Sequence, residues 1–350
     1  MFERSAYFLS QSARIGWFLG QYLLSDRLTR ASRTPAQRRP PPPAAARPSP
    51  TLPDLLADIR GLLRRDWRNI RDGLYRIPPA FPDDAGRMLA DALRYFRDLP
   101  VVTARRRRNG FDEVREKASE IGRFPDYYLR NFHYQTDGYL SDHSARLYDQ
   151  QVEVLFIGST DAMRRQALVP IGAFLRRRRD AWAHLDVACG TGRFLATVCD
   201  SFPQLRSIGL DLSPHYLAEA ARELRGQPGV TLLRGLAEQL PLANASVDLI
   251  TCVYLLHEVP GDVRARIATE FARVLRPGGR AVIVDSLQHG DRPAWDRLLV
   301  GFPKSFHEPF YAVYAKADLN ALFGGAGLRP AGNDLAFLSK ILVFDKPATV

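Results

Sequence analysis

An α/β protein organised around a Rossmann-like, mostly parallel sheet is the fold class that three features of this sequence predict. Short β-branched runs alternate with helical stretches from Ala183 onward, a glycine-rich turn follows the first run, and the last two runs meet without a helix between them. Regular alternation implies βαβ units and parallel pairing. Strands are expected at 183–188, 206–211, 230–233, 247–253 and 280–285. The end of the chain reads as a helix closed by Gly324–Gly325, then two strands around 328–345, at least one of them antiparallel. The expected architecture is seven strands with one antiparallel strand at the C-terminus, preceded by an N-terminal helical extension.

Composition bounds what such a chain does. Its 350 residues are 46% hydrophobic and 25% charged, which is neither disordered nor membrane-spanning composition. The net charge of +11 is uneven: residues 1–50 carry +6, 51–179 carry +6 and 180–350 carry −1, so the surplus lies wholly in the N-terminal half. Arg105–Arg108 and Arg176–Arg179 read as solvated helix ends, and without interleaved aromatics they give no reason to expect nucleic acid. Cys189, Cys199 and Cys252 form no CxxC pair, so neither a disulfide framework nor a structural zinc is indicated, and a reducing, cytoplasmic setting is expected. No histidine pair has a recognised ligand spacing, and no metal is expected.

Within an N-terminal segment 1–34, residues 5–25 are apolar and aromatic, interrupted by Arg14, and their longest uncharged run is too short to span a bilayer. Phe8, Ile15, Phe18, Leu19 and Tyr22 recur near helical spacing with Arg4, Arg14, Arg27 and Arg30 around them, the pattern of an amphipathic helix lying on an anionic membrane surface. A partner-docking helix and a disordered extension are the competing readings. Residues 35–50, rich in proline and alanine, read as an extended linker. A helical region is expected over 51–143. Leu52, Leu55, Leu56, Ile59, Leu63, Trp67, Ile70 and Leu74 follow i, i+3/i+4 spacing, a second helix runs from an N-cap at Asp84 to about Arg97, and a third covers about 111–121. Residues 144–350 make the last domain, its first part, 144–178, helical.

"LDVACGTGRF" (185–194) has the form of strand, glycine turn and helix start. Gly190 and Gly192 allow close approach of backbone to a ligand, and Asp186 at the strand end holds the turn or accepts from a ligand cation. Asp211 ends the next strand, where a carboxylate can accept both hydroxyls of a ribose. Dinucleotide folds share such a turn, but Leu195 stands where the full G-x-G-x-x-G needs its last glycine.

The run as a whole resembles the class I S-adenosylmethionine (SAM) dependent methyltransferases over about residues 145–345. Asp186-Val-Ala-Cys-Gly-Thr-Gly192 is similar to that family's first motif, with Ala188 where many members have glycine, and Asp211 to its ribose-binding acid. "GLAEQLPL" (235–242), "VDLITCVYLLHEVP" (247–260) and "FARVLRPGGRAVIVD" (271–285) match its later motifs in order. The resemblance implies SAM as cofactor, held by Asp186, Ala188, Cys189, Gly190, Thr191, Gly192, Asp211, Leu212, Ala237 and Glu238. Leu236 replaces an aspartate that many relatives direct to the adenine.

Methyl transfer from a sulfonium is an in-line displacement, and a base helps when the acceptor is a phenol, an enol or an activated ring carbon. Residues leaving the fourth strand face the methyl group in this fold, which makes Tyr254 and His257 candidates, His257 as base. A helix-capping or packing role for His257 is the plain alternative. The segment lacks the Asn/Asp-Pro-Pro-aromatic tetrapeptide of amino-methylating nucleic-acid enzymes and the two glutamates of arginine methyltransferases. "LLHEVP" and "RVLRPGG" resemble the group acting on quinones, sterols and natural products, so a small lipophilic acceptor is expected, methylated at carbon or oxygen. A catalytically inactive SAM-fold scaffold is the alternative, and an RNA-directed enzyme a more distant one. Residues 293–319, rich in aromatics, are expected to cover the acceptor through His307, Phe310 and Tyr311. "NFHYQTDGYLSDHS" (131–144) is expected to be a lid element in which His133 assists catalysis, Tyr134 and Tyr139 touch the acceptor, and Asp137-Gly138 makes the turn. The competing reading is a packed loop between helices. The acceptor's identity and the oligomeric state stay open.

Overall fold

The computed structural model describes residues 2–31, 49–82, 84–117, 123–178, 180 and 182–348. The expected linker therefore lies mostly outside the described residues. The chain divides into two compact units, each discontinuous in sequence. Unit 1 comprises residues 1–57, 78–160 and 292–308, and unit 2 comprises 58–77, 161–291 and 309–350. The boundary expected at 143/144 thus falls inside unit 1, and residues 58–77 group with the sheet.

Unit 2 holds the sheet. Its strands are β1 (Ala183–Val187), β2 (Arg206–Asp211), β3 (Val230–Arg234), β4 (Val247–Val253), β5 (Leu275–Ser286), β6 (Arg329–Ala336) and β7 (Ser339–Asp345). They lie in the order β3-β2-β1-β4-β5-β7-β6. The first five pair in parallel, and β7 runs antiparallel to both β5 and β6, as expected. β4 is buried at every position before Val253, which suits a central strand covered on both faces. β5 begins earlier than expected, because Leu275 pairs with Val247 before the Pro277–Gly279 irregularity.

Helices α8 (Arg193–Ser201), α9 (Pro214–Glu223) and α10 (Gly261–Val274) are the crossover connections. The short α12 (Tyr311–Tyr314) follows β5, and α13 (Leu319–Gly325) ends at the glycine pair singled out in the sequence. Phe271, Phe323 and Phe344 are fully buried and meet at ring separations of 6.0 and 4.6 Å. Each such ring contributes about 2 kcal/mol through burial. Helix α2 (Leu52–Arg71) buries Ile59, Leu62, Leu63 and Asp66. From Asp58 it belongs to unit 2, where α6 (Thr160–Arg165) supplies a partner: Arg165 grips the Asp66 carboxylate at 2.6 Å, and the Tyr75 hydroxyl donates to the same group at 2.6 Å. α7 (Leu168–Arg177) leads into β1.

Unit 1 is helical. α1 (Phe2–Ala31) packs on α3 (Ala85–Arg108) and α5 (Asp142–Leu155), with α4 (Glu113–Lys117) and α11 (Asp296–Phe306) in the same unit. α3 starts at the expected Asp84 cap, whose side chain accepts from Arg87 N at 2.9 Å. It does not stop near Arg97. It runs through Pro100 because Val102 and Arg105 are buried beyond it, and Asn109 closes it in the left-handed conformation. The helical stretch expected over 144–178 is three helices, the first turning off at Ile157–Gly158, where φ is 53° and 75°. One expectation needs correction. Phe18, on the face of α1 assigned to a membrane, is buried, Phe8, Ile15, Leu19 and Tyr22 are half-buried, and Arg14 pairs at 2.6 Å with the buried Glu153. That face is turned into unit 1.

Candidate active site

The strand order reverses between β1 and β4, and open α/β sheets take their ligands outside the carboxyl ends of the strands flanking such a reversal. Both of those ends carry strained backbone. Ala188 leaves β1 with φ 56°, and Tyr254 leaves β4 with φ 57°, a conformation that costs a bulky residue on the order of 1–3 kcal/mol.

The glycine turn follows β1. Gly190 and Gly192 have φ of 57° and 79°, but their surroundings differ. A Cβ at Gly190 would meet nothing within 4 Å, whereas one at Gly192 would come within 3.0 Å of Ala220. Gly192 is therefore needed for packing α8 on α9, and Gly190 keeps open the space beside the turn. Gly190 N donates to Asp211 Oδ2 at 2.9 Å and Ser213 N donates to Oδ1 at 2.8 Å, so the carboxylate at the end of β2 is fixed by backbone. Burial pushes Asp211 up to about 6, against the lowering effect of those two amides. Thr191 is buried within the turn, and the half-buried Leu212 accepts from Arg234 Nε at 3.2 Å through its carbonyl. Ala237 and Glu238 form a half-buried turn closed by the Leu236–Gln239 bridge. The set of an open cradle, a fixed carboxylate and a following turn suits a ribose-bearing cofactor such as SAM.

Beneath the turn is a buried chain that sequence reading missed. Thr251 Oγ1 donates to Asp186 Oδ1 at 2.6 Å, His184 Nε2 meets Thr251 Oγ1 at 2.8 Å, and His184 Nδ1 meets Ser207 Oγ at 3.0 Å. Burial pushes Asp186 up to about 7 and His184 down to about 3. Asp186 is thus braced from below. Cys189 is buried, and burial raises its thiol well above the usual range.

At the exit of β4, His257 Nδ1 lies 2.6 Å from Asp285 Oδ1. Asp285, at the end of β5, is fully buried and also accepts from Leu256 N at 2.8 Å and Ser286 N at 2.7 Å. Burial lowers His257, but the Asp285 carboxylate outweighs it, so the imidazole titrates above its ordinary value. The opposite ring nitrogen, Nε2, lies 3.9 Å from Glu258. Arg264 ties the loop down through the carbonyls of Leu256 at 2.8 Å and Val259 at 3.0 Å. Tyr254 and His257 are neighbours, with rings 6.3 Å apart, and the Tyr254 hydroxyl meets Ser339 Oγ at 2.7 Å. Tyr311 stands 5.9 Å from the imidazole, but it is buried and its hydroxyl meets Ser286 Oγ at 2.7 Å, so it braces the dyad. Phe310 is half-buried, and its carbonyl accepts from Tyr314 N at 3.0 Å to start α12.

The remaining expected residues lie in unit 1. Residues 132–134 form one 3₁₀ turn in which His133 and Tyr134 both have positive φ, 55° and 56°. Arg105 donates to Tyr134 O at 2.7 Å, and Asn131 holds both flanks by accepting from Val114 N and donating to Gln135 O. Asp137 and Gly138 make the expected turn, with φ of 63° and 54°. His133 Nε2 lies 3.1 Å from the buried Glu308 carboxylate. His307 stacks on Phe111 at 4.4 Å and lies 5.5 Å from Tyr134, and burial, then Arg130, pushes it down to about 4. His133, Tyr134 and His307 are thus brought together. Tyr139 is apart from them, buried against Phe132 and Tyr128 at 5.4 and 5.7 Å, where it packs the unit's interior. Asp285 could have been suspected as an acid ending the apolar run "AVIVD", and Thr251 as the polar residue within "DLITCV".

Comparison with known proteins agrees with this geometry. Residues 185–279 match the model of a methyltransferase domain family. The chain is 33% identical over 193 residues to the demethylmenaquinone methyltransferase of Beutenbergia cavernae, covering 55% of this chain and 70% of that protein. It is 33% identical over 145 residues to the ubiquinone/menaquinone biosynthesis C-methyltransferase of Desulfotalea psychrophila, 41% of this chain and 56% of that one. It is also 32% identical over 166 residues to an uncharacterised protein of transposon Tn4556 from Streptomyces fradiae, covering 46% and 45%. The chain spans about half the length of these last two relatives. It belongs to the class I SAM-dependent methyltransferases.

Proposed function

We propose that this chain transfers the methyl group of SAM to a small lipophilic acceptor of the quinol or phenol class, at carbon or oxygen. The observation that carries the reading is the pairing, at the reversal of strand order, of an open glycine cradle fixed to Asp211 with the Asp285–His257 dyad at the exit of β4. The quinone relatives supply the acceptor class. Bound SAM would supply an electrophilic methyl group on a sulfonium. Gly190 and Thr191 would face its amino-acid part, Asp211 the ribose hydroxyls, and Leu212, Ala237 and Glu238 the adenine side.

The chain's own chemical contribution is proton management. Asp285 accepts from His257 Nδ1, which leaves Nε2 to take the acceptor's hydroxyl proton and makes the imidazole a stronger base. The resulting oxyanion pushes electron density onto the attacking oxygen or ring carbon. For ring-carbon attack, the proton on that carbon is then lost to solvent and the ring oxygen recovers the one held by His257, which restores the aromatic phenol. Tyr254, held by Ser339, lines the same loop. The reading places the protein in the cytoplasm, where its three buried free cysteines stay reduced.

The test is methyl transfer from labelled SAM to a prenylated naphthoquinol. The reading expects label in the organic phase, lost in His257→Ala while SAM binding persists. No transfer to any quinol or phenol tried, by protein that binds SAM, would overturn the acceptor class.

A further inference from the structure

Helix α1 is anchored to its own unit by one face. Gln11, Phe18, Gln21 and Ser25 are buried there, Arg14 donates to Gly158 O at 3.0 Å, and Gln150 donates to Gln21 at 2.6 Å. The opposite face runs from Phe2 to Arg27 in alternating steps of four and three residues, the spacing of a helix–helix seam. Every position of that seam is exposed, with Phe2 at 86% and Leu9 at 75%. Between Ala6 and Leu23 the seam carries no charge.

Its small residues have no internal explanation. A Cβ at Gly16 or Gly20 would meet nothing within 4 Å. Each glycine nevertheless costs the helix roughly 1 kcal/mol relative to alanine. A lipid surface rewards bulky apolar side chains, whereas a second helix rewards a lowered ridge that lets two backbones approach.

We propose that this face pairs with the same face of a second copy of the chain, the two α1 helices running antiparallel about a centre between Arg14 and Ile15. In that register Leu9 faces Gly20, Leu23 faces Ala6, and Ala13 faces Gly16, so each large side chain meets a small one. The one charged position, Arg27, then falls over the ring of Phe2 and beside Glu3, a cation–π contact with a neighbouring carboxylate. A parallel arrangement would set Leu9 on Leu9 and Arg27 on Arg27, crowding in one place and repelling in the other. The pairing is isologous and closes at two copies, and the seam is about 37 Å long at the α-helical rise.

The test is the mass of the full chain by light scattering and sedimentation over a roughly hundredfold concentration range. The proposal expects twice the chain mass for the wild type and a single chain mass for Gly16→Leu combined with Gly20→Leu. The thermal midpoint of that variant, measured where the wild type is monomeric, should be no lower than the wild type's, since both added side chains enter open space and each removes a helix glycine. Orientation is read by mild oxidation. A mixture of Ala13→Cys and Gly16→Cys chains should cross-link, and Leu9→Cys alone should not; the three native cysteines are buried and do not compete. A wild type that is monomeric throughout, a dimer that survives the double substitution, or a Leu9→Cys cross-link would each overturn the proposal. A monomer that co-sediments with phosphatidylglycerol vesicles through Gly16 and Gly20 would overturn it in favour of a lipid surface.

Discussion

Replacing Asp285 with asparagine tests the buried pair at the exit of β4. The carboxylate accepts from three donors, His257 Nδ1 at 2.6 Å, Leu256 N at 2.8 Å and Ser286 N at 2.7 Å, and is fully buried. An amide keeps one acceptor oxygen and turns an NH₂ group toward a donor on the other side. The loss of a charge-assisted bond costs about 2 kcal/mol. For a unit of this size that lowers the unfolding midpoint by roughly 4–8 °C. The sign of the pH dependence follows from His257, whose folded value is raised above 6.5. The stability that the pair contributes is fully present below the unfolded value and is lost as pH rises through the folded one. The variant should therefore trail the wild type most at about pH 5.5–6, and the gap should narrow toward pH 9. Scanning fluorimetry across that range reads both midpoints. A gap that stays constant, or widens at alkaline pH, would refute the reasoning.

Other outcomes follow from neighbouring residues. The two glycines of the turn should separate: Gly192→Ala, whose Cβ lands 3.0 Å from Ala220, loses stability, by about 1–3 kcal/mol in denaturant unfolding. Gly190→Ala, which meets open space, pays only the strain of its positive φ but loses most cofactor affinity in calorimetry. Because burial puts Asp211 at about 6, SAM affinity should fall up to about tenfold per pH unit below that value, and affinity constant between pH 5 and 7.5 would contradict an ionised ribose acceptor. Thr251→Val removes donors and acceptors from the chain under the turn and should destabilise unit 2 by about 2–4 kcal/mol in chemical unfolding.

The strands were legible because short β-branched runs alternate regularly with helical stretches, and those of β1, β2 and β4 are bounded by turns that the sequence marks clearly. The glycine turn and Asp211 were legible for a related reason: the backbone conformation and the strand-end carboxylate each demand particular residue types. The Asp285–His257 dyad was not legible as a pair. Its members sit 28 positions apart and meet only because β5 lies beside β4. The extension of α3 past Pro100 was hidden because local propensity argues against it and the packing that overrides it is tertiary. Tyr139 and Tyr311 show the limit of aromatic richness as a signal, since one fills an interior cluster and the other braces the dyad. On α1 periodicity found an apolar face correctly but could not say what covers it, and Arg14 meets Glu153 from a position 139 residues away.

Calorimetric titration of the purified full chain with SAM, beside Asp211→Ala, tests the central claim most directly. The account predicts saturable, one-to-one binding by the wild type and none by the variant, with both proteins folded by circular dichroism. Absence of binding by the folded wild type, or equal binding by both, would contradict it.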